Sequence, residues 1–232
     1  MEQSGTSTLL QGAVQDLASS VVSALRSGDH AHAVLPAGTE GEAGDVTLAA
    51  VRVLGADAML PGTLLRTPPD PAQVAVFRKA VEAYPPRADA APTVRWSHWA
   101  MARALRQADP SVTPERREEP DAGWLDGASW QFLTHQLAVL APLALPGEDD
   151  AVTRAAGRRT VDVARGFVRA VRRRDWRQAA GAGRWLTLLP GVPETLGLRA
   201  GLEFVELMGG QDPQVALQLE AARLLARTGA LV

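Results

Sequence analysis

Eight arginines fall between residues 154 and 174, and their spacing is the strongest chemical signal in this 232-residue chain. At roughly 100° per residue on a helix, Arg154, Arg158, Arg165, Arg169 and Arg172 fall within about 60° of one another, while Val163, Phe167, Ala170 and Val171 take the other side. Read as a single helix over 151–173, the stripe runs about 27 Å at ~1.5 Å per residue. Arg159, Arg173 and Arg174 flank it, Arg177 and Arg184 follow in the next helical segment, and only Asp162 and Asp175 oppose them between 151 and 184. A guanidinium offers paired, coplanar donors that match a carboxylate or a phosphate. Arg154, Arg158, Arg165, Arg169, Arg172 and Arg173 are therefore the candidate anion- or partner-binding residues. Like charges one helical turn apart repel by a few tenths of a kcal/mol per pair, so the stripe calls for an anion along it. Three anions qualify: the chain's own acidic half, an acidic protein partner (a second copy included), and the phosphates of a nucleic acid. The last would be a backbone contact without sequence readout, because the chain has no zinc-finger spacing, no ribonucleoprotein aromatic motif and no clear helix-turn-helix signature.

Catalytic chemistry finds less footing. The chain has no cysteine, which excludes disulfides, thiolate metal sites and a cysteine nucleophile. His30, His32, His98 and His135 are scattered, with no metal-ligand spacing among them. The paired acids Glu118-Glu119 and Glu148-Asp149-Asp150 sit in polar loops, where carboxylates stay solvated and ionised. Neither a phosphate-cradling glycine loop nor a Gly-x-Ser-x-Gly elbow occurs, and Gly181-Ala182-Gly183 reads as a place of close helix packing. The expectation is a non-enzymatic protein without a metal or cofactor.

The elements that must position these residues are helices. Leu10, Val14, Leu17, Val21 and Leu25 recur at helical spacing between a capping-box Thr8-x-x-Gln11 and Gly28, which predicts a helix over 8–27. Further helices are predicted over 45–58, from Asp70-Pro71, over 92–108, about 127–144, 151–173, 176–189 and 194–208, and from Asp212-Pro213. Val51-Arg52-Val53-Leu54 is the most strand-like text, and its alanine neighbours favour helix. The fold class expected is all-α: an irregular αα-hairpin bundle or short helical-repeat solenoid of about nine helices. Asp109 to Gly123, with three prolines around Arg116-Arg117-Glu118-Glu119, reads as an exposed loop or flexible linker.

Two helices want burial on both sides. On 92–108, Trp96, Trp99 and Ala100 share a face with Arg103, an ordinary cation–π partner for Trp99, and Val94, Met101 and Leu105 take the opposite face. On the last helix, Val215, Leu219, Ala222 and Ala226 form one stripe and Leu217, Ala221 and Leu224 another. A terminal helix in a linear array has one neighbour, so Leu217, Ala221 and Leu224 are the expected self-association face of a homodimer.

The net charge of −2 hides a division. Residues 1–150 carry 11 basic against 19 acidic side chains and residues 151–232 carry 13 against 7. The organisation expected is an acidic N-terminal helical part over 1–145 and a basic C-terminal helical-hairpin part over 151–232. The first residues lack the basic n-region of a signal peptide, and the apolar run 137–145 is too short to span a bilayer, so a cytoplasmic location without membrane contact is the default.

Arg174-Asp175-Trp176-Arg177-Gln178-Ala179 and Gly28-Asp29-His30-Ala31-His32-Ala33 resemble the turn and second-helix opening of tetratricopeptide repeats. The resemblance implies a helical-hairpin scaffold that binds other proteins. With the arginine stripe it suggests a scaffold or adaptor for an acidic macromolecular partner, the alternative being a nucleic-acid-binding protein.

Overall fold

The computed structural model describes residues 2–28, 41–109 and 118–229. The described residues are helical throughout, with turns and loops between helices and no strand. The chain divides into two compact units, Met1–Glu118 and Glu119–Val232. The contact boundary thus lies some thirty residues before the charge boundary, which has a direct electrostatic consequence for the arginines. His30, His32 and the resembling segment around them, and most of the proline-rich 109–123 segment, lie outside the described residues.

The first unit comprises α1 (Glu2–Ser27), α2 (Gly41–Leu54), a 3-10 turn over Gly55–Met59, α3 (Leu60–Leu65), α4 (Pro71–Ala83) and α5 (Pro92–Ala108). α1 begins more than a turn before Thr8, so Thr8 lies inside the helix and is not its cap. The Asp70-Pro71 signal holds: the Asp70 carboxylate accepts from the Ala72 amide at 2.6 Å and Pro71 takes the first helical position. α1 packs along α2, α2 on α4, and α5 against the 3-10 turn and α4. The strand-like Val51-Arg52-Val53-Leu54 is the last turn of α2. Half-buried there, Arg52 donates to Ser97 Oγ at 3.1 Å, and burial lowers its pKa from the ordinary arginine value. The stretch Ala43–Leu65 is long and apolar enough to cross a membrane, yet it folds as α2, turn and α3 with most of its length buried. The predicted two-sided burial of α5 is seen in Trp96, Ala100, Met101 and Leu105 but not at Val94, which is exposed near the start of the helix, and Arg103 lies 4.9 Å over the Trp99 ring.

The second unit holds α6 (Trp130–Val139), α7 (Ala151–Arg158), α8 (Thr160–Arg172), α9 (Trp176–Leu186), α10 (Leu198–Gly209) and α11 (Pro213–Gly229). Short 3-10 turns precede α6, follow it and precede α10. The α9 helix is the hub, packed by α6, α8, α10 and α11. Its small residues make that possible. A Cβ at Gly181 would lie 2.8 Å from the Ala138 carbonyl oxygen of α6, and one at Gly183 would lie 2.4 Å from Leu202 Cδ2 of α10. Trp185, fully buried on the same helix, donates its indole N–H to the Leu137 carbonyl at 2.7 Å. Consecutive helices α8–α9 and α10–α11 form two hairpins. Their turns meet at one end of the unit, where Arg177 pairs with Asp212 at 2.6 Å and Gly209 abuts Trp176.

Against nine predicted helices there are eleven among the described residues: the predicted helix over 151–173 is divided in two, and α3 is an addition beyond the predicted 45–58 helix, in a proline-bounded stretch with no helix signal of its own. The second predicted helix breaks at Gly55, whose φ of 68° leaves the right-handed helical region. The arginine helix breaks at Arg159. There the Thr160 hydroxyl bonds the Gly157 carbonyl, and the Arg159 side chain turns inward to donate to the carbonyls of Leu125 (2.9 Å) and Ala128 (2.7 Å) and to Asp162. A straight 27 Å stripe therefore does not form.

Candidate functional site

The contact division regroups the charges. Residues 119–150 contribute six carboxylates and no base, and residues 151–232 seven carboxylates and 13 arginines, so the second unit balances at 13 of each. Residues 1–118 hold 11 basic and 13 acidic side chains. The acidic stretch 119–150 thus shares a unit with the basic half, and most of that unit's arginines meet an acid inside it.

Along the predicted stripe the pairing runs from one end. Arg154 reaches Asp149 at 3.3 Å and Glu119 at 3.5 Å, and Glu119 also accepts the first amide of α7, from Ala151, at 3.0 Å. Arg158 pairs with Asp126 at 2.6 Å. Arg165 lies 3.5 Å from Asp162, and its guanidinium is 5.8 Å from the centre of the Trp130 ring. Arg169 lies over the same indole at 5.5 Å. Exposed ion pairs of this kind contribute little stability, roughly 0–1 kcal/mol each, and they also neutralise the surface they occupy.

At the other end the acids run out. Among the described residues no carboxylate lies within ion-pair distance of Arg169, Arg172, Arg173 or Arg174, and the last three are exposed. Nearby carboxylates are engaged elsewhere: Asp175 accepts the Gln178 amide as the cap of α9, and Asp212 holds Arg177. The backbone here is a Schellman turn, with Asp175 N–H bonded to the Ala170 carbonyl and Arg174 N–H to that of Val171. Arg174 occupies its left-handed position at φ 57°, where glycine is ordinarily found. Arg169 and Arg172 also stand in the last turn of α8, where its carbonyl end favours cations. The result is a compact cationic corner: Arg169, Arg172, Arg173 and Arg174.

The sequence sets Arg154, Arg158, Arg165, Arg169, Arg172 and Arg173 together on one stripe, whereas the structure pairs the first three with carboxylates of their own unit and leaves the last three at the end of α8. Arg184 follows the stripe in sequence, on the next helix. It is fully buried in α9, donating to the Ala144 carbonyl at 3.3 Å and to Gln218 Oε1 at 2.9 Å. Asp150, expected in solvent, is buried and caps α7 through the Thr153 amide at 2.9 Å.

The expected self-association face is closed within the chain. Leu217 and Ala221 are 0% exposed and Leu224 is half-buried, because α11 has two helical neighbours, α9 and α10, and not one. Exposed apolar side chains of this unit include Phe132 and Val139 on α6 and Val161 and Val168 on α8, and three cluster on one face of α10, Phe204, Leu207 and Met208, with Leu207 80% exposed. Trp176 meets Phe204 edge-on at 6.1 Å, which joins this face to the arginine corner. Sequence spacing alone could have found it, since 204, 207 and 208 share one helical face.

Chemical alternatives are sparse. No group of three or more metal-ligating side chains converges among the described residues. His135 contacts Gln178 at 3.3 Å on the surface, and His98 is buried in α5. A cleft in the first unit lined by Met59, Thr67, Asp70 and Gln73 encloses about 30 Å³, enough for a water or two. Compared with known protein families, with curated proteins and with solved structures, the chain matches none.

Proposed function

We propose that the chain is a non-enzymatic helical adaptor that binds an acidic macromolecular partner through the corner Arg169, Arg172, Arg173 and Arg174. The observation that carries this reading is the unequal pairing of the stripe. Arg154, Arg158 and Arg165 meet carboxylates of their own unit, and the corner arginines meet none among the described residues. Arg174 adds to it: an arginine at a left-handed turn position costs about 1 kcal/mol relative to glycine, and it sets a third guanidinium beside Arg172 and Arg173.

Fluorescence anisotropy with a labelled polyglutamate peptide across a salt series tests the reading. Binding is expected at low salt, falling as salt rises, and lost in the double variant R172E/R173E. Arg174→Gly is expected to weaken binding while raising thermal stability by about 1 kcal/mol, a combination that misfolding cannot produce. No binding at low salt, or binding untouched by R172E/R173E, overturns the reading. Tighter binding of a DNA or RNA oligonucleotide than of polyglutamate replaces it with phosphate recognition.

A further inference from the structure

The α10 face and the arginine corner lie together, and neither is covered by the unit to which they belong. α10 packs against α9 and α11 and turns Phe204, Leu207 and Met208 outward. From Phe204 to Met208 this face covers about one turn of α10, roughly 6 Å at ~1.5 Å per residue. It is held firmly at the corner end. Phe204 rests against the Trp176 ring, and α10 approaches Trp176 so closely that a Cβ at Gly209 would fall 2.6 Å from it. Trp176 itself follows Arg174 by two residues, so through this tryptophan the α10 face abuts the start of the helix that leaves the arginine turn.

The carboxylates along this edge are already engaged. Glu203 pairs with Arg199 at 3.1 Å, Glu206 with Arg223, and Asp212 with Arg177. The surplus charge is therefore positive and sits at one end, Arg172 to Arg174, while the middle is apolar with neutralised acids beside it. An extended anionic surface such as a bilayer or duplex would press against Glu203 and Glu206 as well as the arginines. A partner with localised charge matches better: a short apolar stripe over α10 and carboxylates about a turn or two further on.

We infer that this composite face receives an acidic amphipathic helix of a partner protein. Its large apolar side chains, at i, i+3, i+4 and i+7, cover Phe204, Leu207 and Met208, and its carboxylates meet Arg172, Arg173 and Arg174. The inference rests on the reading of the arginine corner as an acidic-partner site and adds to it the apolar anchor and the helical form of the ligand. Leu207 is the central contact because it is the most exposed of the three and so has the most apolar area to lose to a ligand.

The test uses the full chain and three labelled peptides of about 18 residues, long enough for five helical turns. One is a Leu/Glu helix with leucines on a single face, one the same composition scrambled, and one polyglutamate. The Leu/Glu helix is expected to bind about tenfold more tightly than the other two, a difference of about 1.4 kcal/mol. Leu207→Ser and Phe204→Ser are expected to remove that tenfold advantage and leave polyglutamate binding unchanged. R172E/R173E is expected to abolish both. Leu207 is so exposed that its substitution does not disturb the fold, so loss of binding reports the contact.

Equal binding of all three peptides, or no effect of Leu207→Ser, overturns the amphipathic-helix inference and leaves the acidic-partner reading standing. Polyglutamate failing to bind at low salt overturns that reading. Helix binding that depends on Leu207 but not on Arg172 and Arg173 overturns the acidic half of the inference. Tighter, Leu207-dependent binding of vesicles containing phosphatidylserine overturns it in favour of a lipid surface.

Discussion

Replacing Gly181 by alanine probes the helix crossing on which the whole second unit depends. The new Cβ would lie 2.8 Å from the Ala138 carbonyl oxygen and 2.9 Å from the Ala138 Cα, where ordinary non-bonded carbon contacts lie at about 3.5–4.0 Å. Both atoms belong to the main chain of α6, so no side-chain rotation relieves the clash and α6 and α9 must part by on the order of 0.6 Å. The same interface carries the buried Trp185 indole bond to Leu137, which that separation lengthens. Overpacking of this kind costs about 1–3 kcal/mol and a weakened buried hydrogen bond about 1 kcal/mol. The better helix propensity of alanine returns about 1 kcal/mol. The net expectation is a loss of about 2 kcal/mol, or about 6–12 °C in Tm for a unit of this size. Thermal and urea melts followed by tryptophan fluorescence measure it directly. Gly12→Ala supplies the control, because a Cβ there meets nothing within 4 Å and alanine should stabilise α1 by about 0.5–1 kcal/mol. If Gly181→Ala proves as stable as the parent, or gains as much as Gly12→Ala, the close α6–α9 crossing does not exist.

Two further outcomes follow from burial. Arg184→Ala removes a fully buried guanidinium from the Ala144 carbonyl and Gln218, with an expected cost of about 3–5 kcal/mol; Arg184→Met, which refills the space, should cost far less, and equal urea midpoints for the two would refute a buried role. Leu217→Ala should lower the urea midpoint by an amount equivalent to about 2–5 kcal/mol, as a core truncation does, and a parent-like midpoint would mean that this side of α11 is open.

The helical class was legible because apolar spacing and caps agree along most of the chain: Asp70-Pro71, Asp175 and Asp212 all serve at helix starts as their side chains predict. What could not be read was where a periodic run breaks. Residues 151–173 keep helical spacing across Arg159, and the break comes from tertiary bonds, since Arg159 leaves the helix surface to serve carbonyls about thirty residues earlier. Arg184 escaped for the same kind of reason. On an isolated helix an arginine belongs to the wet face, but α9 is packed by four helices and has little wet face left. The charge division carried real information: Glu119, Asp126 and Asp149 of the acidic half meet Arg154 and Arg158 of the basic one, the first of the three anions the sequence offers. What it could not show is that this pairing stops short of the last turn of α8, because that depends on which carboxylates the fold brings within reach.

Charge counted by contact is also what narrows the candidate site. A row of like charges on a helix repels itself wherever it is unmatched, and the structure matches it from Arg154 as far as Arg165. Beyond that point Arg169 lies over the Trp130 indole, and the next three arginines project from a turn whose backbone suits glycine at the third. Repulsion among them raises the energy of the unbound corner, and an arriving carboxylate recovers that energy as well as its own attraction. A ligand that also covers Phe204, Leu207 and Met208 draws on a second, salt-independent source, burial of apolar area at roughly 25 cal/mol per Å². The two contributions separate by salt. Raising ionic strength should weaken polyglutamate binding steeply and that of the Leu/Glu helix only in part, leaving a residual affinity that vanishes in Leu207→Ser. Equal salt slopes with no residual would mean that the α10 face takes no part in binding.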